Sequence, residues 1–167
     1  MKNLGKITDF FIILFFIIIQ ATIAEYLKVY YISFDFILVA VIALTFKNGF
    51  FYGLIYGLFA GLIFDLITNR IAGLSPLVFA VCVFLIVKML DSGLRLKLVS
   101  YIFIVFLMTE IHTIITNIMY YLFNFNVNFL LAGIDLLLYP VYNIALIFIV
   151  FPLMRVKLNY GESIEYK

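Results

Sequence analysis

The chain has 167 residues, 67% of them hydrophobic and 12% charged, with a mean hydropathy of +1.24. A soluble domain is about half apolar and a quarter charged, so this composition excludes a soluble globular fold and marks an all-α integral membrane protein. A net charge of +2 gives no footprint for nucleic acid or another polyanion, and the lone Cys82 excludes an internal disulfide.

The length suits one compact domain, a bundle of six transmembrane helices over residues 1–158, with a short polar cytoplasmic tail at 159–167. At the start, Lys2 and Lys6 precede an apolar run from Phe10 to Ile19 and imitate a signal peptide, with Ala24 in the pose of a cleavage residue. The rest of the chain also needs a membrane, so the segment reads as a retained first helix, about 7–24. Asp9 falls close to the inner surface and reads as solvated, while Gln20 and Thr22 read as interhelical hydrogen-bonding groups.

The second apolar segment, about 30–46, is the weakest span. Its cleanest stretch, Phe36 to Phe46, covers only about 16 Å at 1.5 Å per residue. It crosses only if Tyr30–Phe34 join it or the bilayer thins there. Asp35 stands at its start as an interior acid.

The third span, about 50–67, carries Gly53, Gly57 and Gly61 four residues apart, and Asp65 four further on. In a helix all four share one face, and small residues at this spacing let another backbone come close. Two uses stay open: packing inside the bundle, or a face that meets another protein. Tyr52 and Tyr56 rim either contact. Asp65 either reaches the interface to pair with Arg70, or anchors the turn through Asn69, Gly73 and Ser75-Pro76 into the fourth span, about 74–90. Ser75 suits that helix's N-cap and Pro76 its first turn.

The fifth span, about 98–123, is the most polar. Thr109, Glu110, His112, Thr113, Thr116, Asn117 and Tyr120 spread over roughly 160° of a helix at 100° per residue. Glu110 and His112 fall near mid-span, and their two-residue spacing points them apart. They serve either as hydrogen-bonding groups between helices or as a proton or substrate site. The sixth span, about 130–154, runs back with Asp135, Tyr139, Tyr142 and Asn143. That sets Asp135 near the depth of Asn117–Tyr120 and Asn143 near that of Glu110–His112, a polar seam shared by the two spans. Pro140 removes one backbone donor inside the sixth span and favours a kink there.

Six spans with both termini cytoplasmic put nine of the eleven Lys and Arg inside, leaving Lys28 and Arg70 outside. The best five-span alternative gives eight against three, so the positive-inside rule prefers six. Tyr26, Tyr30, Tyr31, Tyr120 and Tyr121 cluster at the outer ends, as interfacial anchors do. One His and one Cys cannot build a metal site of usual ligand count, and neither a nucleophile elbow nor a P-loop occurs. The expectation is a protein without catalysis, metal or cofactor.

Phe34-Asp35, then Lys47-Asn48-Gly49, then the Gly53/Gly57/Gly61 stripe closing on Phe64-Asp65-Leu66, then Gly73-Leu74-Ser75-Pro76, resembles the rod shape-determining protein MreD family over nearly the whole chain. The family's more specific positions match at Asp35, Gly57, Gly61, Asp65 and Gly73. Phe34 stands where the family usually has Pro, and Ser75 where it often has Asn. The resemblance implies a non-catalytic component of the bacterial inner membrane in the cell-elongation machinery that makes lateral peptidoglycan. It implies MreC as direct partner, with MreB filaments, RodA and its penicillin-binding transpeptidase reached indirectly, and membrane lipids around it. The family is also similar in fold to the substrate-binding components of energy-coupling-factor transporters. Two functions follow: a scaffold on which MreC docks at the glycine stripe, or a small-molecule binder using the fifth and sixth spans. Against the second, the first span is dense in Ile and Phe, with only Ala21 and Ala24 to offer a coupling face.

Overall fold

The computed structural model describes residues 2–26, 34–68, 71–94, 97–123 and 129–156. Six helices follow in order: α1 (Lys2–Tyr26), α2 (Phe36–Asn48), α3 (Phe50–Thr68), α4 (Leu74–Asp91), α5 (Leu98–Leu122) and α6 (Phe129–Leu153). Among the described residues there is no strand. Five helices are long and apolar enough to cross a membrane, and α2, with 13 residues, is the short one. It measures about 20 Å against a hydrocarbon core of about 30 Å. The helix expected from residue 30 therefore starts only at Phe36, after a non-helical Phe34 and Asp35.

The sequence sets both ends of α2. Asp35 Oδ1 accepts a hydrogen bond from the Leu38 amide at 2.9 Å, as an N-cap does. Gly49 closes the helix at φ +80° and ψ −173°, a conformation essentially reserved for glycine, and Phe50 opens α3 at once. Every residue from Ile37 to Phe46 is buried. A helix apolar on all sides must be enclosed, and α2 touches each of the other five helices. They surround it and turn Phe11, Phe15, Leu62, Phe84 and Leu137 outward.

Contacts at one end fix the path of the chain. Lys47, at the end of α2, pairs with Asp9 near the start of α1 at 2.5 Å. Lys6 Nζ donates to Tyr52 Oη, and Tyr56 Oη donates to the Lys6 carbonyl at 3.0 Å, which ties the start of α3 to the same place. Phe46, Tyr101 and Phe151 meet ring to ring at 5.0–6.0 Å, bringing in the start of α5 and the end of α6. The described chain thus begins and finishes at one end, here called the basic end. The short buried α2 ends there as well. Helix α6 runs through Pro140 without a break.

One expectation is corrected here. Asp9 is not solvated: it is 1% exposed. Asp9, Ile13, Phe16, Ile17 and Gln20 form the buried face of α1, at helical spacing. Lys47 and Asn48, arriving at the end of α2, supply the carboxylate's partners at 2.5 and 2.9 Å.

Candidate functional site

The glycine stripe of α3 is filled by the protein's own helices. A Cβ at Gly53 would strike Thr45 of α2, its Cβ lying 3.1 Å away. At Gly57 it would meet Val41 of α2 at 3.3 Å and Phe79 of α4 at 3.4 Å. At Gly61 it would lie 2.5 Å from the Pro76 nitrogen and 2.8 Å from the Ser75 carbonyl carbon. All three glycines are buried. The paired positions 53 with 45 and 57 with 41 show α2 and α3 antiparallel in close register. A partner face on this stripe, one of its two expected uses, is therefore not what the glycines present.

Asp65 closes the stripe as the anchor of the next turn. Its Oδ2 accepts from the amides of Gly73 and Ser75, both at 3.0 Å, and its Oδ1 accepts from Ser75 Oγ at 2.5 Å. A carboxylate taking three hydrogen bonds, 1% exposed, holds the first turn of α4 against the end of α3. Ser75 is thus inside the first turn and not its N-cap; that place falls to Gly73, at φ +93°. Arg70, the other expected partner of Asp65, lies outside the described residues.

The main polar cluster sits at the buried start of α2. A helix that begins inside a bundle leaves its first amides without intrahelical acceptors, and no lipid can supply them. Here side chains from two helices, α1 and α6, and the cap do so. The Phe36 amide donates to Gln20 Oε1 of α1 at 2.8 Å, and Gln20 Nε2 donates back to the Phe34 carbonyl at 2.9 Å. The Asp35 amide donates to Asn143 Oδ1 of α6 at 2.9 Å. Asn143 Nδ2 donates to Thr109 Oγ1 of α5 at 3.2 Å, and Tyr139 Oη donates to Asp35 Oδ2 at 3.3 Å. His112 Nε2 stands 3.9 Å from the same Asp35 oxygen.

Packing positions His112 as well. Gly57 admits Phe79 against α2, and the Phe79 ring stacks on the His112 imidazole at 5.8 Å and 18°. The Tyr139 ring lies 6.4 Å from it, tilted by 35°. The glycine stripe and the polar cluster are thus joined through one aromatic side chain.

Of the expected seam, Thr109, His112, Tyr139 and Asn143 come together, with Thr113 donating along its own helix to the Thr109 carbonyl at 2.9 Å. Thr116, Asn117 and Asp135 are half-buried and outside this network, and Glu110 is half-buried with one carboxylate oxygen shielded and unpartnered among the described residues. Asp35, which the sequence sets apart from the seam, is its centre. Gln20 is the residue that sequence reasoning undervalued. Its signal was available, because it continues the 9–13–16–20 face of α1. Among the described residues no group of three His, Cys, Asp or Glu is close enough to hold a metal. What the arrangement does chemically is cap a helix terminus and bind four helices together.

The model of one family, described as rod shape-determining protein MreD, matches residues 2–157. No curated protein and no solved structure matches the chain.

Proposed function

The chain belongs to the rod shape-determining protein MreD family, and from that premise we propose that it is a non-catalytic scaffold of the bacterial elongation machinery. In this reading it lies in the inner membrane with its basic end in the cytoplasm and docks MreC within the bilayer. MreB, RodA and the penicillin-binding transpeptidase are reached through that contact. The orientation rests on the positive-inside rule, since Lys6, Lys47, Lys88, Lys97 and Arg155 lie at or near the basic end.

The observation that carries the reading is where the polar groups are used. Asp9, Gln20, Asp35, Asp65 and Asn143 each hydrogen-bond between segments, and the outward faces are apolar. A block locked from within and greasy outside suits a membrane scaffold better than a turnover site. Because the glycines are covered, the docking face belongs to the lipid-facing surface. The alternative, a transporter-type binder on the α5–α6 seam, is less favoured because Asn143 spends both ends of its amide inside the bundle.

Photo-crosslinking in membranes that also hold MreC tests this. A crosslinkable residue scanned through Phe11, Ile55, Leu62, Phe84 and Phe148, all exposed, is expected to capture MreC from at least one helix. The same residue at Val41, which is fully buried, captures none. Failure of every exposed position, together with absence of MreC after affinity purification, overturns the proposal.

A further inference from the structure

Helices α4 and α5 part toward the basic end and leave an open groove of about 480 Å³, within the ~300–1,000 Å³ of ordinary ligand sites. Its walls are apolar: Leu85 and Met89 from α4, and Phe103, Leu107 and Ile111 from α5. It opens toward the lipid, since Phe103 is 52% exposed. Its polar rim is Lys88 and Ser92. Ser92 Oγ donates to the Met89 carbonyl at 2.7 Å, so its proton is engaged. Lys88 is exposed and, although Asp91 stands one turn on, makes no ion pair among the described residues. Among the described residues the groove therefore has one free donor, a cation, at the mouth of an apolar channel.

Depth decides what fits. The α5 wall of the groove runs from Phe103 to Ile111, about 12 Å along the helix. That is most of the depth of one leaflet in a ~30 Å core, room for the greater part of an acyl chain. Lys88 lies one turn from the end of α4, at the level where a lysine reaches headgroups. Basic pockets between membrane helices recognise anionic lipid headgroups.

We infer that the α4–α5 groove is a binding site for an anionic glycerophospholipid. One acyl chain lies along Phe103, Leu107 and Ile111, and the phosphate faces the Lys88 ammonium. An annular lipid held by shape alone would show no headgroup preference. This site does, because an unpaired cation at the edge of the low-dielectric core attracts a phosphate whose remaining headgroup carries no compensating positive charge.

Native mass spectrometry of the full chain, released from nanodiscs of equal phosphatidylglycerol and phosphatidylethanolamine, tests it. Wild type is expected to retain phosphatidylglycerol about five-fold over phosphatidylethanolamine, which is the ~1 kcal/mol that one basic residue contributes at a membrane surface. Lys88→Gln abolishes the preference, whereas Lys97→Gln, equal in charge and outside the groove lining, keeps it. Leu107→Trp, which fills the channel, reduces the number of lipids retained while leaving the unfolding temperature near that of wild type. Equal retention of the two lipids by wild type, or an unchanged preference in Lys88→Gln, overturns the assignment. So does preferential retention of an added polyprenyl phosphate, which would point to a different occupant.

Discussion

At Gly61 a single hydrogen atom separates a packed interface from a clash. The neighbours that a Cβ would strike are backbone atoms of Ser75 and Pro76, which cannot rotate away. Gly61→Ala is therefore expected to force α3 and α4 apart and cost about 1–3 kcal/mol. Thermal unfolding of the purified protein in detergent measures this, with Gly5→Ala, where a Cβ meets nothing within 4 Å, as the unaffected control. Gly57 is less strict, because its neighbours are the side chains of Val41 and Phe79. Asp65 works with Gly61 at the same joint: the glycine lets the first turn of α4 come close, and the carboxylate binds its amides. That pairing is why a glycine stripe ending in an acid serves as an internal fastening here.

At the scale of the element, α2 explains most of the polar chemistry. It is too short to cross by itself, so one terminus falls inside the bundle and must be capped there by Asp35, Gln20 and Asn143. Its other terminus is held by Asp9 and Lys47. Breaking a buried ion pair from one side leaves an uncompensated charge, at about 3–5 kcal/mol, whereas removing both charges is far less harmful. Lys47→Met alone is thus expected to destabilise the protein more than the double variant Asp9→Asn/Lys47→Met. Equal losses in unfolding experiments would show that the pair does not hold α2 in place. The partial exposure of Lys47, whose side chain is 22% accessible, sets the effect toward the lower end of that range.

At the scale of the molecule, the contacts around Phe46, Tyr101 and Phe151 gather the start of α5 and the ends of α2 and α6 at one end. The proposed cytoplasmic placement of that end has a direct test. Cys82 is fully buried, so an introduced cysteine is the reporter. Lys97→Cys is expected to label with an impermeant maleimide only after the inner membrane is opened, and Leu122→Cys, at the far end of α5, to label from outside. Labels in the reverse order would invert the orientation and move the lipid site of the α4–α5 groove to the other leaflet.

The sequence by itself determined the class, an all-helical membrane protein. A mean hydropathy of +1.24 leaves membrane helices as the economical answer, and Gly, Pro and charged residues punctuate the apolar runs close to where helices end. It also marked Asp35, Asp65 and Asn143, because a polar group in lipid must have a partner. Only the tertiary structure decided which partner. Helical periodicity says that two residues share a face but not which neighbour that face meets. Hence the glycines were legible as a close-contact stripe, and their occupant, α2 and α4, was not. Asp9 looked solvated because its distance along the chain from a membrane end is visible in sequence. The arrival of Lys47 beside it, 38 residues later, is a property of the folded bundle alone.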